Sequence, residues 1–96
     1  MMVLVTYDVN TEDASGARRL RRMAKECENI GQRVQNSVFE CLVEPQQLVH
    51  LKAKLCSIMD KERDSLRIYY LGANWQRRVD HYGKIPAFNQ EGPIIL

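Results

Sequence analysis

The sequence predicts an α+β domain built on an antiparallel sheet, its chain running β-α-β-β-α-β. Three observations carry that prediction. Residues 2–7, "MVLVTY", are apolar or β-favouring without a break, the pattern of a strand inside a sheet. Leu20, Met23, Ala24, Cys27 and Ile30 recur at i, i+3, i+4, i+7 and i+10, which is one stripe of a helix. "RVQNSVFECLVE" and "SLRIYYLG" are rich in β formers and flank a second helical stripe.

The elements follow in order. The first strand covers about 2–8. "NTEDASGA" then offers turn and N-cap residues (Thr11, Asp13, Ser15) before a helix of about 15–30, and Gly31 is a natural terminator. Residues 33–44 hold two strands, with "QNS" as the tight connection of a hairpin. Pro45 opens the second helix, where its missing N–H costs nothing. Leu48, Leu51, Leu55, Ile58 and Met59 form that helix's buried stripe. "DKERDS" is a polar break, and 65–72 is the next strand. This order is the ferredoxin-like split βαβ arrangement, with both helices on one face and the first strand in the middle of the sheet. Residues 73–96 read as a tail ending in a short strand, "PIIL".

With 96 residues the chain makes one domain, and 45% hydrophobic with 27% charged residues exclude a disordered polymer. No apolar run is long enough to span a bilayer and no signal peptide pattern opens the chain, so the expected setting is soluble and cytoplasmic. Three cysteines without a CxxC spacing argue against a disulfide framework and a zinc knuckle. Cys27 and Cys41 sit in apolar patterns and read as small buried hydrophobes.

Net charge is only +2, yet basicity is concentrated in "ARRLRRMAK". At 100° per residue Arg18, Arg21, Arg22 and Lys25 lie opposite the stripe centred on Leu20. A solvated helix face usually mixes signs, and here no acid occurs from residue 14 to residue 25. Such a row suits a nucleic-acid backbone, where cations displace condensed counterions. Arg77 and Arg78 extend the same expectation.

Alternation along the first strand puts Val3, Val5 and Tyr7 on one face and Leu4, Thr6 and Asp8 on the other. Two helices cover only one face, and the more apolar set belongs beneath them. The other face and the "PIIL" strand both need a partner. A homodimer supplies it; a monomer with its tail folded back on its own sheet is the alternative. Asp8 ends the strand, either as local turn chemistry or as a carboxylate presented to something. Glu40 on a strand is more commonly a partner for an arginine. His50 and His81 are acid–base candidates without supporting spacing, and His50 falls on a helix surface. No Gly-rich phosphate loop is present.

"MVLVTYDV" with its terminal aspartate, "RVQNSVFEC" across the hairpin and "SLRIYYLG" together resemble the small CRISPR-associated adaptation nuclease, the partner of the spacer integrase. The resemblance covers the whole chain, and "NWQRRVDHYGK" is similar to the subtype I-C branch. It implies a ferredoxin-like homodimer in which Asp8 is the metal-binding and catalytic residue. It also implies magnesium (or manganese) as cofactor and metal-dependent cleavage of RNA or DNA in spacer acquisition. Substrate preference varies among relatives and does not carry over with the resemblance; duplex DNA is expected in preference to single-stranded RNA. One aspartate is a poor magnesium site alone, whereas two copies across a two-fold axis make a better one. The competing implication is a non-catalytic adaptor that binds duplex DNA and bridges integrase dimers. A plain RNA-recognition module shares the element order but needs an aromatic stacking platform, and "SVFECLVE" has only Phe39.

Overall fold

A computed structural model describes residues 1–72 and 79–84. Its elements are β1 (Met2–Asp8), α1 (Ala14–Ile30), β2 (Gly31–Gln35), β3 (Val38–Leu42), α2 (Pro45–Ile58), β4 (Ser65–Leu71) and β5 (Val79–Gly83). The five strands form one antiparallel sheet in the order β2-β3-β1-β4-β5, with β1 central. The expected ferredoxin-like order is therefore present, extended by one edge strand.

Local chemistry explains the helix boundaries. Asp13 caps α1, its carboxylate accepting from Gly16 N at 2.9 Å and from Ser15 Oγ at 2.8 Å. Pro45 is the first residue of α2, and the Gln47 side chain accepts from Glu44 N at 2.8 Å. Gly31 does end α1, but its backbone is extended rather than left-handed. Its role is room: a Cβ there would stand 2.3 Å from Cys41 Sγ and 2.8 Å from Glu40 O. Helix thus becomes strand at a single residue, with no connecting loop.

Both helices pack on one face of the sheet. Val3, Val5, Phe39, Cys41, Leu66 and Ile68 are fully buried beneath Met23 and Cys27 of α1 and Leu48, Leu51 and Leu55 of α2. Tyr7 and Phe39 stack with ring centroids 6.1 Å apart. The expected division of β1 holds, with Val3, Val5 and Tyr7 under the helices and Asp8 exposed on the other face.

The tail is not irregular throughout. "VDHYG", which lies within the tail expected from the sequence, is instead a strand, β5, paired with β4 from Ser65↔Gly83 to Tyr69↔Val79. Its Asp and Gly are poor β formers, so the pairing and not propensity makes the strand. Lys52 of α2 fastens it, donating to Asp80 Oδ2 at 2.9 Å and to Tyr70 OH at 2.8 Å. Tyr70 OH donates to the same Asp80 oxygen at 2.6 Å. Burial lowers the Lys52 pKa, but these bonds and the Asp80 charge outweigh it and hold the ammonium protonated above its ordinary range. The "PIIL" strand, Arg77 and Arg78 lie outside the described residues.

Candidate functional site on the open sheet face

The face without helices can be read row by row from the strand register. Leu42, Met2 and Leu71 form one row across β3, β1 and β4. Glu40, Leu4, Tyr69 and Val79 form the next, and Val38, Thr6, Arg67 and His81 the third. Asp8, Ser65 and Gly83 close the face. The first two rows are largely apolar and open, Leu42 being 72% exposed. The last two carry the polar chemistry.

Asp8 is exposed at the end of β1, and among the described residues its carboxylate has no hydrogen-bond or ion-pair partner. Local turn chemistry belongs to its neighbours instead. Asn10 Oδ1 accepts from Glu12 N at 2.9 Å, and Asp13 caps the helix. Tyr7, adjacent in sequence, points into the core, where burial pushes its hydroxyl up to about 12; it stays a neutral packing group.

The chain after Asp8 is held by a residue that the sequence hid inside "DKERDS". Asp64 is wholly buried. Its carboxylate accepts from Asn10 N at 3.0 Å, Asp60 N at 2.9 Å and Arg19 Nε at 2.8 Å. Burial pushes the Asp64 carboxyl up, but the Arg19 guanidinium and the two amides outweigh it, leaving it below the ordinary carboxylate range. Arg19 Nη2 also reaches Asn10 O at 3.3 Å. Gly16 lets α1 approach this loop, since a Cβ there would lie 2.0 Å from Asn10 O. From the other side, Lys84 N donates to Asp64 O at 2.8 Å, so one residue joins the ends of β1 and β5 to α1.

The basic row is where the periodicity puts it. Arg18, Arg21, Arg22 and Lys25 are exposed on α1 and have no ion pair among the described residues. Arg19, the fifth cation of the run, is the structural one, paired with Asp64. The row and Asp8 do not meet: α1 covers one face of the sheet and Asp8 lies on the other.

Of the remaining candidates, Glu40 is exposed on the open face without the expected arginine partner among the described residues. It lies opposite Leu4, four residues from Asp8 along β1, roughly 13 Å at strand rise. His50 is exposed on α2 as expected. His81 is drawn into the polar rows: Arg67 Nε donates to His81 Nδ1 at 3.0 Å. His81 Nε2 lies 3.1 Å from Gly83 O and 3.0 Å from Lys84 O, so Nδ1 accepts and Nε2 carries the proton. Arg67 was missed. Its position between Leu66 and Ile68 set its face, but only the register places it beside Thr6.

The family model for CRISPR associated protein Cas2 matches residues 1–79. The chain belongs to the Cas2 family. Curated Cas2 relatives match it along its whole length. It is 60% identical over 96 residues to the CRISPR-associated endoribonuclease Cas2 of Nitratidesulfovibrio vulgaris, covering 100% of this chain and 94% of that protein. It is 55% identical to the CRISPR-associated endonuclease Cas2 of Halalkalibacterium halodurans, with 100% of each chain covered. The crystal structure of Streptococcus pyogenes Cas2 superposes with a TM-score of 0.71 at 60% identity, covering 86% of this chain and 100% of that one.

Within this Cas2 chain no group of three or more His, Cys, Asp or Glu side chains could hold a metal ion among the described residues. Asp8 alone therefore offers one hard oxygen ligand, which fits magnesium's habit of taking one or two carboxylates and completing its shell with water and phosphate. It does not make a closed cage. Among the described residues no helix is long and apolar enough to cross a membrane.

Proposed function

We propose that this Cas2 chain is a cytoplasmic, magnesium-dependent endonuclease (manganese being the alternative ion) that acts in CRISPR spacer acquisition as a homodimer. The observation that carries the reading is Asp8: an exposed carboxylate without a partner among the described residues, on a strand end held by Asp64 and Arg19. A carboxylate so placed is fixed in position and yet available to a ligand. When bound, a divalent ion supplies charge neutralisation at the phosphoryl oxygens and an activated water. The chain's part is to hold that ion through Asp8 and its two-fold mate, where the two sheet faces meet. The names of the relatives, endoribonuclease in one and endonuclease in the other, support phosphodiester hydrolysis. Duplex DNA is the preferred substrate in this reading because the α1 row is a linear array of cations of the kind that displaces counterions from a phosphate backbone.

The exposed Leu42, Leu71 and Val79 support dimerisation through the open face, since their two rows are largely apolar, with Glu40 as the charged group among them. Deciding the function takes a comparison of wild type and Asp8→Asn on duplex DNA and single-stranded RNA across a magnesium titration, with dimer mass followed in parallel. Asparagine preserves size and removes the charge. Cleavage should fall by more than about a hundredfold, because even outer-shell partners of a metal are worth 10–100-fold. Equal cleavage by both proteins would remove Asp8 from the metal site.

One observation favours the second reading, an adaptor that binds duplex DNA and bridges integrase dimers. The basic row and Asp8 occupy opposite faces, so a duplex laid along α1 is not thereby presented to Asp8. In that case Asp8→Asn leaves both DNA binding and integrase bridging intact, and no magnesium-dependent cleavage is seen with either protein.

A further inference from the structure

The row that closes the open face holds two oxygen-bearing side chains without partners. Asp8 is directly opposite Ser65 on β4, and Ser65 is in turn opposite Gly83 on β5, which brings no side chain. Residues directly opposite on antiparallel strands share a face, with Cβ atoms about 4.5–5.5 Å apart, so the Asp8 carboxylate and the Ser65 hydroxyl are neighbours. Ser65 is 8% exposed, and its buried neighbour Asp64 shows how the fold treats a polar group that it needs. Both Asp64 oxygens accept hydrogen bonds, whereas the Ser65 hydroxyl has no hydrogen bond among the described residues. Nor is that hydroxyl sealed in: among the described residues the fully enclosed side-chain polar atom that lacks a partner is Tyr7 OH. The Ser65 oxygen therefore still reaches solvent. Packing does not explain it. A polar group taken almost wholly out of water without a hydrogen bond costs free energy, and alanine would fill the same place without that cost. What serine adds here is an oxygen with two lone pairs, next to a carboxylate that is equally unpartnered.

We infer that Ser65 Oγ is a second ligand of the divalent ion held by Asp8, supplied by the same protomer from the neighbouring strand. The inference rests on the reading of Asp8 as the metal ligand and deepens it. One carboxylate per protomer is a sparse site. A carboxylate and a hydroxyl on adjacent strands give two hard oxygens, and the two-fold mate doubles them. Water and substrate phosphate take the places left over, as magnesium usually has it. The hydroxyl is neutral, so it adds coordination without adding to the repulsion between two nearby carboxylates. Both ligands stand on strands rather than on a loop. β1 and β4 are paired without a break from Met2↔Leu71 to Asp8↔Ser65, which fixes the separation of the two side chains before any ion arrives.

The test uses the full-length protein as wild type, Ser65→Ala, Ser65→Cys and Asp8→Asn, with dimer mass and metal-free melting temperature recorded for each. Manganese binding is followed by electron paramagnetic resonance, in which the free ion gives the sharp signal. Ser65→Ala should raise the manganese Kd by about tenfold or more, since even outer-shell partners of a metal are worth 10–100-fold. Its metal-free melting temperature should be kept or raised, because the lost hydroxyl had no partner. Ser65→Cys keeps the size and exchanges a hard oxygen for a soft sulfur, so its preference should move from magnesium and manganese toward cadmium. The mark of that change is a sulfur-to-cadmium ultraviolet band beyond any that wild type gives, weakened again when Asp8→Asn is added. A serine that merely starts β4 would alter the metal-free melting temperature and leave the manganese Kd at the wild-type value. That result with Ser65→Ala overturns the inference, as does a Ser65→Cys protein without the added band. If wild type binds no manganese, or Asp8→Asn binds it as wild type does, the reading of Asp8 falls. If Asp8→Asn loses manganese while Ser65→Ala keeps it, only the role of Ser65 falls.

Discussion

Asp64 shows how much one residue can carry when several elements meet on it. Its carboxylate is buried and charged, and it takes hydrogen bonds from α1, from the loop after β1 and from the turn after α2. Breaking a buried pair by removing one member typically costs about 3–5 kcal/mol, and Asp64→Ala is expected in that range. The pH dependence follows from the direction of the shift. A carboxyl lowered in the fold contributes stability that is complete above the unfolded value, about 4, and is lost as pH falls through the folded one. Asp13 acts in the same sense, pushed down to about 2 by the Ser15 hydroxyl and then the Gly16 amide. Melting temperature followed by circular dichroism should hold from pH 7 to about 5 and fall between about 4 and 2. Asp64→Asn should flatten that fall as well as lowering the plateau; an unchanged acid limb would acquit Asp64. None of this was visible in "DKERDS", which is a run of solvated residues until three separate segments close around it. Asp8 was legible for the opposite reason: a carboxylate directly after an unbroken apolar strand stands out without any tertiary information.

Elements set by local pattern were the legible ones. The α1 stripe, its cap at Asp13 and the row of cations opposite Leu20 need nothing but 3.6-residue spacing, and α2 needs little more than Pro45 and its leucines. β5 could not be read this way, because its alternation is weak and its existence depends on pairing with β4 and on the Lys52–Asp80 bridge. The cationic face of α1 makes its own prediction. If it contacts phosphates, Arg18→Ala with Arg22→Ala should weaken duplex binding irrespective of sequence and reduce the slope of log K against log salt by about two. Fluorescence anisotropy over a range of salt concentrations measures it. An unchanged slope would return α1 to an ordinary solvated face, and would leave Arg19, half-buried against Asp64, as the only arginine of the run with a task.

At the scale of the whole molecule the sheet divides two surfaces of different character, cationic on the helical side and apolar with a polar end on the open side. The open face could be anticipated from counting, since two helices cover one face only. Which residues meet there could not, because it needed the order β2-β3-β1-β4-β5 and the register of each pair. The junction at Gly31 bears on how those surfaces communicate. A helix that becomes a strand at a single residue has no slack: α1 and the edge strand β2 turn together, like a lever welded to its frame. A load applied to the arginines is then felt first at the hydrogen bonds between β2 and β3 and not in a loop. Duplex binding should accordingly slow amide hydrogen exchange at Gln32 and Arg33, on the far edge of the sheet from Arg67. Inserting two glycines after Ile30 should uncouple the two, keeping the salt-dependent affinity while the protection of β2 disappears.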